Sequence, residues 1–228
     1  KMSSSRVLNL QTQMKKEDVV AENLFTFKIS MKKIILECWN CSSIIKNFSF
    51  FCCKCLKIQK PIEVDIFKIF GLPYNFSVDL EKLELKYYDL QSKLHPDRFI
   101  NSSPEESYFS QIHSSNLNSS FEKLKDTVKR SEELLKILGF KVDKDDKSFN
   151  DIKILNEIME LQDEVENIKS QKERFNFLAM VNLEVSNLYK LLKESFKQER
   201  LKDANKLNIK ISYLNKIIKD IKLTQVNE

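Results

Sequence analysis

Residues 79–99 read DLEKLELKYYDLQSKLHPDRF, and this stretch decides the fold. Four of its apolar residues fall within about 60° of arc when successive residues are placed 100° apart, which predicts an amphipathic helix. They are Leu83, Tyr87, Leu90 and Leu94. Asp79 or Ser77 can cap the start of this helix, and Pro96 ends it because proline cannot continue a helix. The stretch therefore predicts a helix followed by a proline turn.

A stripe of lysines lies about a quarter of a turn from the apolar stripe, at Lys82, Lys86 and Lys93. The helix thus carries a cationic face beside its buried one. His95-Pro96-Asp97 forms the turn, and another helix is predicted from about Pro104 to Leu124. Taken alone, the tripeptide is no more than a turn that breaks one helix and caps the next.

The whole chain of 228 residues holds 2 Gly and 4 Pro, too few for the tight connections of sandwiches, barrels or doubly wound sheets, so we predict an all-α protein. The net charge of +5 is spread over mixed signs, which is typical of solvated helix faces and predicts no nucleic-acid partner. No run of about 18 apolar residues occurs, so no membrane partner is expected.

All five cysteines lie between Cys38 and Cys55, and four of them form two C-x-x-C pairs. Two such pairs complete the tetrahedral shell of a structural zinc ion, and Cys53 is left as a spare. A rubredoxin-like iron centre uses the same four ligands, so iron stays open, whereas a redox C-x-x-C would need a βαβ pattern that is not found. The predicted metal ligands are Cys38, Cys41, Cys52 and Cys55.

The C-terminal part predicts a three-helix bundle, with two long helices near Glu173–Glu199 and Leu201–Lys222. Leu155 and Met159 lie outside the apolar stripe of the first helix of this bundle. They are either packed inside the bundle or exposed as a small apolar patch bordered by carboxylates. The spacing alone fits both alternatives.

Composition and helix breaks divide the chain into five segments. Residues 1–36 are a leader that is either a targeting segment or disordered, and the Cys module covers 37–60. Residues 61–139 form the unit with the proline turn, 140–149 a charged linker and 150–228 the C-terminal bundle.

The proline turn, the lysine stripe and the short helix that begins Asp65-Ile66-Phe67 together resemble the J-domain of DnaK-type co-chaperones. The resemblance implies that a DnaK-type Hsp70 chaperone binds the turn and the basic face, and that the chain is a regulator rather than an enzyme. No pocket or third catalytic group accompanies His95 and Asp97, and His113 is expected on a helix surface or edge. The implied chaperone-binding residues are His95, Pro96, Asp97, Lys82, Lys86, Lys93 and Arg98.

The order of Cys module, J-domain and three-helix bundle resembles the HscB-type (Jac-type) J-proteins of iron–sulfur cluster assembly. The matching segments include Cys38-Trp39-Asn40-Cys41, the segment Leu94–Phe99 and the segment Leu155–Leu161. The resemblance implies that the bundle binds an iron–sulfur scaffold protein, and it implies the mitochondrial matrix as compartment, with the cytosol as the other possibility. The implied scaffold-binding residues are Leu155, Met159, Glu160, Asp163 and Tyr213.

Two departures and several alternatives accompany this resemblance. Asn156 stands where the bacterial pattern has an apolar residue, and Asn167 stands where it has an acid. The alternative function is a general J-domain protein that presents unfolded clients to an Hsp70 chaperone. A second copy of the chain is a further candidate partner.

Overall fold

The structure is a computed structural model that describes residues 35–140 and 152–224, and side chains over 35–140 and 154–223. Nearly all of the predicted leader and linker lies outside these ranges. The chain divides into two compact units, Lys1–Lys125 and Asp126–Glu228. Seven α-helices and one short two-stranded sheet make up the described part, which confirms the all-α prediction. None of the described helices has the length and apolarity that crossing a bilayer would require.

The first unit is built on a helical hairpin preceded by a short helix. Helix α1 is Ile66–Phe70, α2 is Leu80–Leu94, a 3-10 turn covers Pro96–Phe99, and α3 is Pro104–Lys125. Asp79 caps α2, since its carboxylate accepts from the Lys82 amide at 3.1 Å. The hairpin closes on side chains that are fully buried. These include Phe67, Phe70, Leu83, Leu94, Leu117 and Leu124.

The Cys module lies in the same unit and packs on α3. Its strands β1, Leu36–Glu37, and β2, Ile44–Ile45, pair antiparallel. His113 of α3 is buried, and its Nε2 lies 2.9 Å from the Gln59 carbonyl oxygen. The prediction of His113 on a surface or edge was therefore wrong, because the module covers this face of α3. Burial lowers the pKa of His113, against the hydrogen bond to Gln59, and so favours the neutral ring.

The second unit contains four helices. They are α4, Thr127–Ile137, α5, Ile152–Glu166, α6, Gln171–Lys197, and α7, Leu201–Thr224. The α6 and α7 pair is the largest helix contact, and α4 and α5 also pack on α7. Asp126 caps α4 and separates it from α3, so the first unit ends at Lys125 rather than at the predicted residue 139.

A half-buried lysine links three helices of this unit. The Lys210 ammonium on α7 lies 2.7 Å from a carboxylate oxygen of Glu157 on α5 and 2.8 Å from one of Glu184 on α6. Its side chain is 18% exposed. Burial alone lowers the Lys210 pKa, but the hydrogen bonds to Glu157 and Glu184 outweigh it, so the pKa is raised above its ordinary value of 10.5.

Lys210→Met is expected to lower the free energy of unfolding by about 1–3 kcal/mol, because it leaves two half-buried carboxylates without their shared cation. A raised pKa means that folding favours the protonated lysine. Its stabilisation is therefore complete below pH 10.5 and fades as the pH rises beyond it. Urea unfolding of both proteins at pH 7.5 tests this, and an unchanged midpoint would contradict it. Lys216→Met, at an exposed position of the same helix, is the control.

Candidate functional sites

The His-Pro-Asp turn projects from the end of the hairpin. His95 caps α2 with extended backbone, and its Nδ1 accepts a hydrogen bond from the Asp97 amide at 3.3 Å. The Asp97 carboxylate lies 3.5 Å from the same nitrogen. Both side chains are exposed, whereas Phe99 at the end of the turn is buried and anchors it. The turn is thus a fixed, polar feature that a partner can reach.

The lysine stripe lies on the exposed side of α2, but it is less strongly charged than its three lysines imply. Lys82 pairs with Asp79 at 3.0 Å, and Lys93 pairs with Asp89 at 2.8 Å. Both acids lie one turn away on the same helix. Arg98, just beyond the turn, donates to the Ser92 carbonyl oxygen at 3.3 Å. The charges of Lys82 and Lys93 are therefore partly neutralised, whereas the hydrogen bond of Arg98 to a carbonyl oxygen leaves its charge in place.

The four predicted metal ligands converge. The Sγ atoms of Cys38, Cys41, Cys52 and Cys55 all lie within 4.8 Å of one another. Cys38 and Cys55 are 3.6 Å apart, and Cys41 and Cys52 are 3.8 Å apart. Zn–S bonds of about 2.3 Å in a tetrahedron place sulfurs about 3.8 Å apart, so the cluster fits a zinc ion. Cys53 is exposed and outside the cluster, as expected for the spare cysteine.

The knuckle backbone orients the cluster, and one serine favours the thiolate of Cys52. The Ser42 amide donates a hydrogen bond to the Cys38 carbonyl oxygen, and the Leu56 amide donates one to the Cys52 carbonyl oxygen. Ser42 and Leu56 have positive φ angles of 58° and 60°.

Ser43 Oγ lies 3.1 Å from the Sγ of Cys52, and this hydrogen bond is the main cause that lowers the pKa of Cys52 to about 6. A thiol this acidic is largely a thiolate at neutral pH, which is the form that binds zinc. Against the hydrogen bond from the Lys57 backbone, which lowers it, burial and the hydrogen bonds to Cys41 and Cys38 raise the pKa of Cys55 to about 11.

Several contacts fix the Cys module to α3. Trp39 Nε1 donates to the Ile58 carbonyl oxygen at 2.7 Å, and the Trp39 ring meets the edge of Phe109 at 5.8 Å. Lys57 pairs with Glu106 at 2.8 Å, and the Glu106 side chain is only 6% exposed. Sequence reasoning missed these residues, since nothing local links Lys57 to a residue 49 positions away.

The predicted scaffold-binding residues lie on two helices of the second unit. Met159 on α5 is 54% exposed and Leu155 is also exposed, so the packed alternative does not hold. Glu160 and Asp163 are exposed on the same helix. Tyr213 is half-buried on α7, one turn from Lys210, which contacts α5 through Glu157. The acid-bordered patch on α5 is therefore a real surface, and Tyr213 belongs to a neighbouring helix.

A hairpin with an exposed His-Pro-Asp turn, followed by a helical bundle and preceded by a four-cysteine module, is the architecture that the resemblance to J-protein co-chaperones implies. The family model of the HSCB C-terminal oligomerisation domain matches residues 150–222. The chain is 29% identical to the iron–sulfur cluster co-chaperone protein HscB of Mus musculus over 198 residues, which cover 85% of each chain. The HscB homologue of Arabidopsis thaliana is also 29% identical, over 81% of this chain and 72% of its own length.

The crystal structure of the human co-chaperone HscB superposes with a TM-score of 0.79 at 27% identity and covers 85% of this chain and 100% of the human one. The sequence resemblance is thereby confirmed: the chain is similar to HscB co-chaperones over most of its length. All these relatives carry the name of co-chaperones rather than of enzymes.

Proposed function

We propose that this chain binds an iron–sulfur scaffold protein through its C-terminal bundle, delivers it to a DnaK-type Hsp70 chaperone, and stimulates ATP hydrolysis by that chaperone. The proposal rests chiefly on one observation: the exposed apolar patch on α5 with its acidic border, in a chain that also carries an exposed His-Pro-Asp turn. This choice of partner is supported by the relatives, which are named iron–sulfur cluster co-chaperones.

The Hsp70 chaperone binds the turn and the basic face of the hairpin. His95 and Asp97 offer a polar, exposed pair at the tip, and Lys86 and Arg98 flank it with positive charge. Such a face attracts an acidic surface and orients it during approach. The chain hydrolyses nothing itself; it changes the hydrolysis rate of its partner.

The scaffold binds the patch formed by Leu155 and Met159. The apolar residues supply most of the affinity of this contact. Glu160 and Asp163 attract basic residues of the scaffold and so orient the scaffold on the patch. Tyr213 on α7 contributes an aromatic side chain to the same contact. By holding scaffold and chaperone together, the chain raises the local concentration of one near the other.

The four cysteines hold a structural zinc ion in this proposal. The convergence of their sulfurs and the acidity of the Cys52 thiol support zinc binding, and four sulfur ligands leave no open position for catalysis. We propose the mitochondrial matrix as the compartment, because the family resemblance implies it.

A steady-state phosphate-release assay tests the proposal, with the Hsp70 chaperone, this chain and the scaffold added singly and together. Added together, the scaffold and the chain should raise the ATPase rate of the chaperone by a factor larger than the product of the factors that each gives alone. Unfolded polypeptides that replace the scaffold with equal effect would instead favour a general J-protein. An absence of synergy with the scaffold would contradict the proposal.

Met159→Glu is expected to weaken scaffold binding by at least about tenfold, because it places a carboxylate in the middle of the apolar patch. Calorimetric titration of the scaffold measures this. The control is Phe175→Glu, at a 72% exposed position of α6 outside the patch, which should bind as the wild type does. If Met159→Glu and Phe175→Glu bound the scaffold with equal affinity, the scaffold would bind at a surface other than this patch.

Lys82→Glu/Lys86→Glu is expected to weaken chaperone binding, with a loss that shrinks as the salt concentration rises, because exposed charges are screened. Both positions are exposed, so the fold should be retained. Binding of the chaperone at several salt concentrations provides the measurement. Lys202→Glu, an exposed charge reversal in the second unit, is the matched control. A loss that does not depend on salt would count against the cationic face.

A further inference from the structure

One residue of the Cys module combines two features that cost free energy in the isolated chain. Leu56 follows the second C-x-x-C pair, and its φ of 60° lies in the left-handed region that favours glycine. Its apolar side chain is also 75% exposed. Strained backbone is found chiefly at functional sites, and an exposed apolar side chain is stabilised when a partner covers it.

The first C-x-x-C pair shows that the turn itself does not need a leucine. Ser42 occupies the equivalent position there, with a φ of 58° and an exposed side chain. The Ser42 amide donates to the Cys38 carbonyl oxygen at 2.9 Å, and the Leu56 amide donates to the Cys52 carbonyl oxygen at 3.0 Å. A small polar residue thus makes the same turn, so the leucine side chain serves a purpose other than the local geometry.

The second C-x-x-C pair is a small hairpin that presents Leu56 from a fixed backbone. We call it the Leu56 hairpin, residues 51–58. The Cys52 amide donates to the Lys57 carbonyl oxygen at 2.9 Å, and Phe51 and Ile58 form an antiparallel bridge. Because this backbone is already ordered, a partner that covers Leu56 loses little affinity to the ordering of the hairpin.

The Leu56 hairpin is held beside the loop that follows the His-Pro-Asp turn. One carboxylate oxygen of Glu106, Oε2, accepts from Nζ of Lys57 at 2.8 Å and from the amide of Ser103 at 3.4 Å. The Ser102 amide donates to the carbonyl oxygen of Phe99 at 3.1 Å, which connects the loop to the turn. Turn, loop and hairpin all belong to the first compact unit.

The loop carries a second exposed apolar side chain, that of Ile100, which is 73% exposed. Asp97 of the turn and Ser103 at the end of the loop are six residues apart, hence at most about 21 Å. A standard protein interface covers about 800 Å² of each partner, which corresponds to a patch about 30 Å across. A partner bound at the turn is therefore large enough to reach the loop and the hairpin beside it.

We propose that the Hsp70 chaperone that binds the His-Pro-Asp turn also covers Leu56 and Ile100. The inference rests on the proposed function for the identity of this partner. Charge agrees with it, because Lys54, exposed in the same hairpin, has the sign of the basic face of α2, so that one acidic surface suits both. The turn acts on ATP hydrolysis, whereas Leu56 and Ile100 contribute affinity.

Leu56→Gly tests this contact without weakening the fold, since a left-handed φ suits glycine and the melting temperature should not fall. The full chain is titrated into a DnaK-type Hsp70, and the ATPase rate gives the half-stimulating concentration and the plateau. Leu56→Gly should raise the half-stimulating concentration by about tenfold and leave the plateau unchanged. Leu56→Met, which keeps an apolar side chain, should stay within about threefold of the wild type.

The matched control is Ser42→Gly. It makes the same backbone change at the first C-x-x-C pair but removes no apolar side chain, so its half-stimulating concentration should stay within about twofold of the wild type. Ile100→Ser should raise this concentration about threefold or more, because it removes the apolar side chain between turn and hairpin. Scaffold affinity and sedimentation of Leu56→Gly should match the wild type.

Three results would overturn the inference while the proposed function stands. They are a wild-type half-stimulating concentration for Leu56→Gly, an equal rise for Leu56→Gly and Ser42→Gly, and a Leu56→Gly protein that loses scaffold binding or self-association instead of chaperone affinity. A wild-type chain that stimulates no ATP hydrolysis at any concentration would refute the proposed function and this inference together.

Discussion

His95→Gln is expected to remove all stimulation of the Hsp70 ATPase while scaffold affinity stays at the wild-type value. His95 lies exposed at the end of α2, and its ring nitrogen holds the amide of Asp97 at 3.3 Å. Glutamine keeps a polar side chain of similar length but loses the flat ring that fixes the turn. Loss of tenfold stimulation corresponds to about 1.4 kcal/mol of barrier lowering in the partner. Phosphate release in single turnover measures the chaperone step directly.

The control for this variant is Asn101→Ala, at an exposed position just after the turn. It should stimulate as the wild type does, because it removes a polar group from the same loop without touching the His-Pro-Asp segment. Scaffold titration must give the same affinity for both variants, since the patch on α5 lies in the other compact unit. Full stimulation by His95→Gln would refute the role of the turn.

The features that the sequence predicted well are those set by local spacing. The α2 stripe repeats every three or four residues and ends at Pro96, so both its buried residues and its end could be inferred. The spacing of the two C-x-x-C pairs predicts a tetrahedral metal site, and the structure brings the four sulfurs together. The pairing of Lys82 with Asp79 and of Lys93 with Asp89 also follows from helix spacing.

The features that it missed depend on residues far apart in the chain. Ser110, His113 and Leu117 follow helical spacing, but a mostly polar face gives no sign that the Cys module covers it. Likewise, the length of α4 could be predicted from its cap and from Gly139, whereas its packing on α7 could not. Lys210 is one lysine among many until α5 and α6 bring two carboxylates to it. Periodicity specifies which face is buried, not which partner buries it.

Loss of the proposed zinc ligand Cys52 is expected to unfold the Cys module and to destabilise the hairpin on which it packs. Cys52→Ser removes one of four sulfurs from a cluster whose metal-binding free energy is about 10 kcal/mol or more in comparable sites. Without the ion, the short strands of the module have few apolar contacts to hold them. Lys57 then leaves Glu106, a side chain only 6% exposed, and His113 loses the Gln59 carbonyl oxygen. Because unfolding of the module also exposes this face of α3 to water, the main loss is that of the contacts between the module and α3.

Trp39, the single tryptophan of the chain, lies inside the first C-x-x-C pair, so its fluorescence reports unfolding of the module. In the folded module its Nε1 donates to the Ile58 carbonyl oxygen and its ring touches Phe109, so Cys52→Ser should shift its emission to the red. Metal analysis should fall from one zinc per chain to almost none, and a chelator should reproduce the shift in the wild type. Cys53→Ser is the matched control, because Cys53 is exposed and outside the cluster. It should keep zinc, emission and melting temperature, whereas a Cys52→Ser protein that lost zinc but kept the emission and the melting temperature would show that the hairpin is stable without the metal.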